Sequence, residues 1–140
     1  MRGQSNLVHP IPAIVPIVQT NADTAFTSAI IDRKGFESLT FLVITGVLTD
    51  AGCTIAATME HGDDSGLSDT AAVAQTDLVG TLAAMAMTQA DDTECRKIGY
   101  VGAKRYVRLT LTPTGNAAGA IPIAAIALMG DPANSPTATL

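Results

Sequence analysis

Residues 98–115, IGYVGAKRYVRLTLTPTG, decide how the rest of the chain is read. From Lys104 onward the residues alternate. Arg105, Val107, Leu109 and Leu111 fall on one side of an extended chain, and Lys104, Tyr106, Arg108, Thr110 and Thr112 fall on the other. A period of two is that of a strand half buried in a sheet. Val107, Leu109 and Leu111 are therefore core candidates, and Lys104, Tyr106 and Arg108 form a row on the outer face. Gly102-Ala103 predicts a turn that pairs 104–112 with 94–101 as a hairpin. Charge gathers here too: Arg96 and Lys97 just before the stretch, with Lys104, Arg105 and Arg108 in it, are five of the eight Lys and Arg in a chain of formal net charge −5.

Working outward, the same grammar recurs. Residues 120–129 (AIPIAAIALM) predict a closing strand, with Ile121, Ile123 and Met129 opposed to Ile126 and Leu128. Residues 53–61 (CTIAATMEH) alternate with Cys53, Ile55, Ala57 and Met59 on one face. Residues 37–48 (ESLTFLVITGVL) form the most hydrophobic strand, with Leu39, Phe41, Val43 and Val47 opposed to Leu42, Ile44 and Leu48. Residues 24–31 predict another strand before the turn Asp32-Arg33-Lys34-Gly35. A short strand is expected near 76–79, and 81–90 read as strand or one short helix. Strands of this number and spacing predict an all-β, jelly-roll-like β-sandwich over 24–132. Residues 133–140 have the composition of a loose tail.

Residues 1–23 predict an extended N-terminal arm. Pro10, Pro12 and Pro16 forbid a helix there, and the residues between them are apolar. Such an arm lies either across its own domain as an edge strand or on a neighbouring subunit, with Ile11, Ile14, Val15 and Ile17 as its contact residues. The apolar run is too short for a membrane span and too broken for a signal peptide. Intracellular synthesis without signal-directed export is expected, and no membrane is a partner.

Charged residues make up 15% of the chain, below the roughly 25% usual in soluble domains, so part of the surface is expected to be covered in an assembly. The acidic balance, and the lack of an aromatic row beside the basic residues, argue against nucleic acid. The basic row is either a solvated face paired with acids such as Asp91, Asp92 and Glu94 or a patch for an acidic protein surface. The two-sided strands likewise have two readings: loops cover the outer positions, or another protein does. The second makes Leu42 and Ile44 contact residues and favours a homo-oligomer, a twofold dimer first.

Catalytic signatures are missing from the sequence: there is no HExxH, GxSxG, P-loop or GxGxxG. Pairing Cys53 or Cys95 with His61 would be the remaining nucleophile arrangement, but the strand parity of Cys53 points to packing. Both thiols are expected to be reduced and packed, with a disulfide as the alternative. The turn His61-Gly62-Asp63-Asp64-Ser65-Gly66, with Asp69, lacks the spacing of a Ca²⁺ loop and is expected to be a solvated turn. The reading is no enzyme, no metal and no cofactor.

The run GYVGAKRYVRLTLTPTG, the closing strand ending ALMGDP and the earlier TMEHGDDSG together resemble small head proteins of tailed bacteriophages, the capsid decoration or cement proteins. The resemblance covers about 24–132. It implies a β-sandwich without catalysis or cofactor that binds the outer surface of the virion's shell, with the major capsid protein as partner. A head fibre, spike base or neck component at low copy number is the alternative. Lys104, Arg105, Tyr106 and Arg108 join the apolar residues above as candidate interface residues, assigned from strand parity.

Overall fold

The alternation of residues 106–111 is present in the fold: Val107, Leu109 and Leu111 are fully buried, while Tyr106, Arg108 and Thr110 face outward, half-buried. The computed structural model describes residues 3–137. Its strands are β1 (Val8–Thr20), β2 (Phe26–Thr27), β3 (Ile31–Asp32), β4 (Phe36–Thr45), β5 (Thr54–Gly62), β6 (Ala71–Ala72), β7 (Leu78–Val79), β8 (Met87–Thr88), β9 (Cys95–Tyr100), β10 (Tyr106–Thr114) and β11 (Ala120–Pro132).

Two sheets hold them. One has five strands in the order β1-β11-β4-β9-β7; the other runs β2-β10-β5-β6, with β3 also on β10 and β8 also on β5. Their ladders are antiparallel. The chain crosses between sheets from β1 to β2, β3 to β4, β4 to β5, β6 to β7, β7 to β8, β8 to β9, β9 to β10 and β10 to β11, the wrapping of a jelly-roll-like sandwich. Phe41, Val43, Ile98 and Ile121 of one sheet and Ile55, Met59, Leu109 and Leu111 of the other fill the core.

The N-terminal segment is an edge strand of its own domain. β1 runs antiparallel along β11 from Val8 opposite Gly130 to Thr20 opposite Ala120, with register shifts between Pro12 and Ile14 and between Ile14 and Ile17. At the first shift the consecutive residues Ala13 and Ile14 both turn inward and are buried. The Ala13 carbonyl accepts from the Ala29 amide at 2.9 Å, which ties the irregularity to the second sheet. An edge tolerates the prolines because no further strand needs their missing N–H. Residues 1–2 and 138–140 lie outside the described residues; Thr137 donates its hydroxyl to the Val8 carbonyl at 2.8 Å.

Several expectations are corrected. Residues 94–101 and 104–112 do not form a hairpin: β9 pairs with β4 and β7, β10 pairs with β5, and the link between them is an arch from one sheet to the other. Arg33 closes that arch. Its Nη1 donates to the carbonyls of Gly102 at 2.7 Å and Lys104 at 2.8 Å, and its Nη2 donates to that of Glu37 at 2.7 Å. The guanidinium also lies 4.7 Å from the centroid of the buried Tyr100 ring. A Cβ on Gly102 would sit 2.5 Å from the Tyr100 hydroxyl, so the close approach requires glycine.

β4 stops at Thr45, so Leu48 does not join Leu42 and Ile44 outside. It is fully buried, and Val47 is exposed instead. The predicted strand over 24–31 is split into β2 and β3. Residues 81–90 are neither one helix nor one strand, but short 3-10 turns around the two-residue β8. Both cysteines are free thiols, Cys53 buried as expected and Cys95 exposed rather than packed.

Candidate functional site

The outward-facing residues of the five-stranded sheet build one surface. Strand parity puts Pro122, Ala124, Ile126 and Leu128 of β11 beside Thr40, Leu42 and Ile44 of β4, and these beside Cys95, Lys97 and Gly99 of β9. Ladder partners place Pro12, Ile126, Leu42 and Lys97 in one row and Ala124, Ile44 and Cys95 in the next. Lys97 is the one charged side chain among these outward positions. Ile44, Ile126 and Val15 are 53%, 45% and 66% exposed, and they lie together around one apolar patch rather than scattered singly, the arrangement that marks a contact surface. Between β1 and β4 lies an open groove of about 510 Å³, lined by Pro10, Pro12, Val15, Leu42, Ile44 and Ile126 among others.

The apolar candidates thus meet around a single feature. Ile11, Ile14, Val15, Leu42 and Ile44 all line the groove, Ile14 from a largely buried position. Ile17 lies just beyond it, along a shallower depression beside Val18, Ile44 and Pro122. Strand parity alone did not single out Pro10, Pro12, Ala124 and Cys95 as members. The alternation of β11 carried a signal for Ala124, but nothing local showed that β1 would lie beside β11.

The basic candidates lie on the other side of the sandwich, and their charges are matched. Arg105 donates to both carboxylate oxygens of Asp32, at 2.8 and 2.7 Å, and its guanidinium lies 4.9 Å from the Tyr106 ring centroid. Lys104 pairs with Asp63, and Arg108 pairs with Glu60 at 3.1 Å. Arg96 reaches Asp91 at 2.7 Å and Glu94 at 3.0 Å, and donates to the carbonyls of Ala84 and Ala86. Of the acids expected to serve the row, Asp91 and Glu94 hold Arg96. The carboxylates beside Lys104, Arg105 and Arg108 come from β3, the end of β5 and the turn after it.

These contacts shift the titrations. The hydrogen bond from Arg105 holds the Asp32 carboxyl below its usual value against a smaller desolvation effect, and Asp32 in turn raises Arg105. Glu60 is lowered first by the Thr70 hydroxyl, 2.6 Å away, and then by Arg108. Asp63 raises Lys104. In the acidic turn, Asp69 accepts from the amides of Asp63 and Asp64, and Asp64 accepts from those of Gly66 and Ser68. These carboxylates close their own loop, and among the described residues no group of three or more His, Cys, Asp or Glu could hold a metal ion. His61 Nδ1 lies 2.7 Å from the Tyr100 hydroxyl, and burial pushes the Cys53 thiol up. No described helix is long and apolar enough to cross a membrane.

Neither a family model nor a curated protein matches the sequence. Among solved structures, the PBSX exported protein XepA superposes over 100% of this chain and 42% of its own, at 12% identity and a TM-score of 0.55. A chain of infectious bursal disease virus Gx strain aligns with 89% of this chain and 32% of its own, at 13% identity and a TM-score of 0.48. The CBM22-1 xylan-binding domain of Paenibacillus barcinonensis Xyn10C aligns with 94% and 83%, also at 13% and 0.48. This chain spans less than half the length of XepA. At such identities the likeness is one of fold, a β-sandwich, and a fold hosts many functions.

Proposed function

We propose that this chain is a structural subunit of a phage virion: a capsid decoration protein that binds the outer surface of the head shell, contacts the major capsid protein and reinforces the junctions between capsomers. It performs no catalysis and needs no cofactor in this role. The observation that carries the reading is the apolar, almost uncharged outer face of the five-stranded sheet, which in the assembled particle is buried against protein. The resemblance of about residues 24–132 to phage head proteins supports a shell as the setting.

The structure changes how the contact is divided. The apolar and basic candidates occupy opposite faces of the sandwich, so a single flat partner cannot engage both. Burial of the apolar face, against the shell or against another copy of the chain, supplies affinity for the assembly. The ion-paired row is already neutralised within the chain, and any part it plays is in orientation, where interfacial charge acts most.

The test mixes purified protein with mature shells that lack it, sediments them, and measures bound copies and shell melting. Saturable binding at on the order of hundreds of copies, with a raised shell melting temperature, is expected, because a ligand of the assembled state stabilises it. Binding at a handful of copies would favour a fibre, spike base or neck component. Absence of binding would remove the shell from the account.

A further inference from the structure

We infer that the apolar outer face of the five-stranded sheet is a self-contact, on which a second copy of this chain lays its own identical face to form a twofold dimer. The inference rests on the reading of this face as an assembly contact and names what covers it.

Charge selects the occupant. The chain has net charge −5, and its opposite face carries the Arg105–Asp32, Lys104–Asp63 and Arg108–Glu60 pairs. Docking that charged face here would strip water from those pairs without offering new partners. The same apolar face on a second copy brings no carboxylate into the contact, and its one cation sits to the side.

Size and shape agree. Four strands about 4.8 Å apart and some 33 Å long give a face of roughly 600 Å² in projection, more with side-chain relief, against about 800 Å² per partner in a standard interface. Ile44, Ile126 and Val15 project around the groove, and a twofold axis lets the ridge of each copy enter the groove of the other. With the axis along the strands, Lys97 at the β9 side lies over the partner's β1 side, where its stem can cover apolar surface while its ammonium stays in water. The edges favour face over edge: β1 presents prolines and two register shifts, devices that discourage strand addition.

The purified full-length chain, without shells, tests this by sedimentation equilibrium. The expected mass is twice 14.3 kDa. Ile44→Glu with Ile126→Glu should raise the dissociation constant at least ~100-fold, because each copy would bury unpaired charge. Thr112→Glu, the same charge on the exposed opposite face, should leave the dimer intact.

Cys95 provides a reporter that needs no substitution: it is exposed on this face, whereas Cys53 is buried. Its alkylation should slow as wild-type concentration rises. A wild-type chain that stays monomeric, with Cys95 reactivity independent of concentration, would overturn the dimer. If that monomer still saturates shells and Ile44→Glu abolishes the binding, the shell covers the face: the dimer fails and the decoration reading stands. A dimer that does not bind shells keeps the self-contact and removes the decoration reading.

Discussion

Replacing Arg33 tests whether the arch between the sheets is held from 69 residues away. Arg33→Met keeps the apolar stem and removes three donors: one to the buried Gly102 carbonyl, and two to the part-buried carbonyls of Lys104 and Glu37. An orphaned buried carbonyl costs about 1–3 kcal/mol, and carbonyls that water can reach cost less, about 0.5 kcal/mol each. Loss of the guanidinium from the Tyr100 ring adds about 0.5–1 kcal/mol. Relief from burying the charge offsets part of this, leaving a net destabilisation of about 3 kcal/mol. At roughly 2.1 cal/mol/K per residue, a chain of this length unfolds with an entropy near 0.3 kcal/mol/K, so the melting temperature should fall by about 10 °C. Arg33→Lys, which can satisfy one or two carbonyls but not stack as a plane, should lose about half as much. Urea titration reads the change as a shifted midpoint at constant slope. A variant within about 1 kcal/mol of wild type would refute the claim that Arg33 fastens the arch.

Reversing Lys104, Arg105 and Arg108 to Glu sets each beside its former carboxylate. The pairs are largely exposed, so the denaturation midpoint should fall only modestly at low salt and much less in 1 M salt. Denaturation midpoints at the two ionic strengths check this, and a midpoint unmoved at low salt would mean that the pairs contribute nothing. Stability should also depend on pH in one direction. Asp32 and Glu60 have folded-state values below their ordinary 3.8 and 4.5, so the folded protein binds fewer protons than the unfolded chain in that range. Their contribution is fully present above the unfolded values and lost as pH falls through the folded ones. The melting temperature should hold steady above about pH 5 and drop below about pH 4, with a shallower drop in Asp32→Asn.

What the sequence showed and what it hid follow from the range of the forces involved. Strand parity is local, so the inward faces of β5, β10 and β11 could be read from their own residues. The arch was not legible because Gly102-Ala103 satisfies the local requirement for a hairpin turn equally well. What sends β9 and β10 to different sheets includes Arg33, a residue that reads as one charge in a solvated turn. Nothing near Arg33 in sequence marks it as buried. The end of β4, three residues short of the expected one, has a similar cause. Gly46 packs against Pro122, where a Cβ would come within 2.7 Å of that ring, and the chain then turns Leu48 into the core. The apolar candidate residues were legible as a set, but their convergence on one groove required the pairing of β1 with β11. Prolines predict an extended chain but not its neighbour.

The crowding of positive charge on one segment and the scarcity of charge on one face have a common origin in the arch. Because β9 feeds β10 across the sandwich, Lys104, Arg105 and Arg108 arrive on the second sheet, within reach of Asp63, Asp32 and Glu60. Arg96 turns instead toward Asp91, Glu94 and the carbonyls of residues 84 and 86. Other carboxylates are committed to turns: Asp50 accepts from the amides of Gly52 and Ala118, and Asp23 from those of Gly115 and Asn116. A chain with few charges that uses them to fasten an arch and its loops has few left for the outer face of the five-stranded sheet. Had β9 and β10 formed a hairpin in that sheet, the basic row would have joined Lys97 there and made the face strongly positive. Sheet-to-sheet connectivity, more than composition, leaves this acidic protein with one apolar face that carries a single lysine.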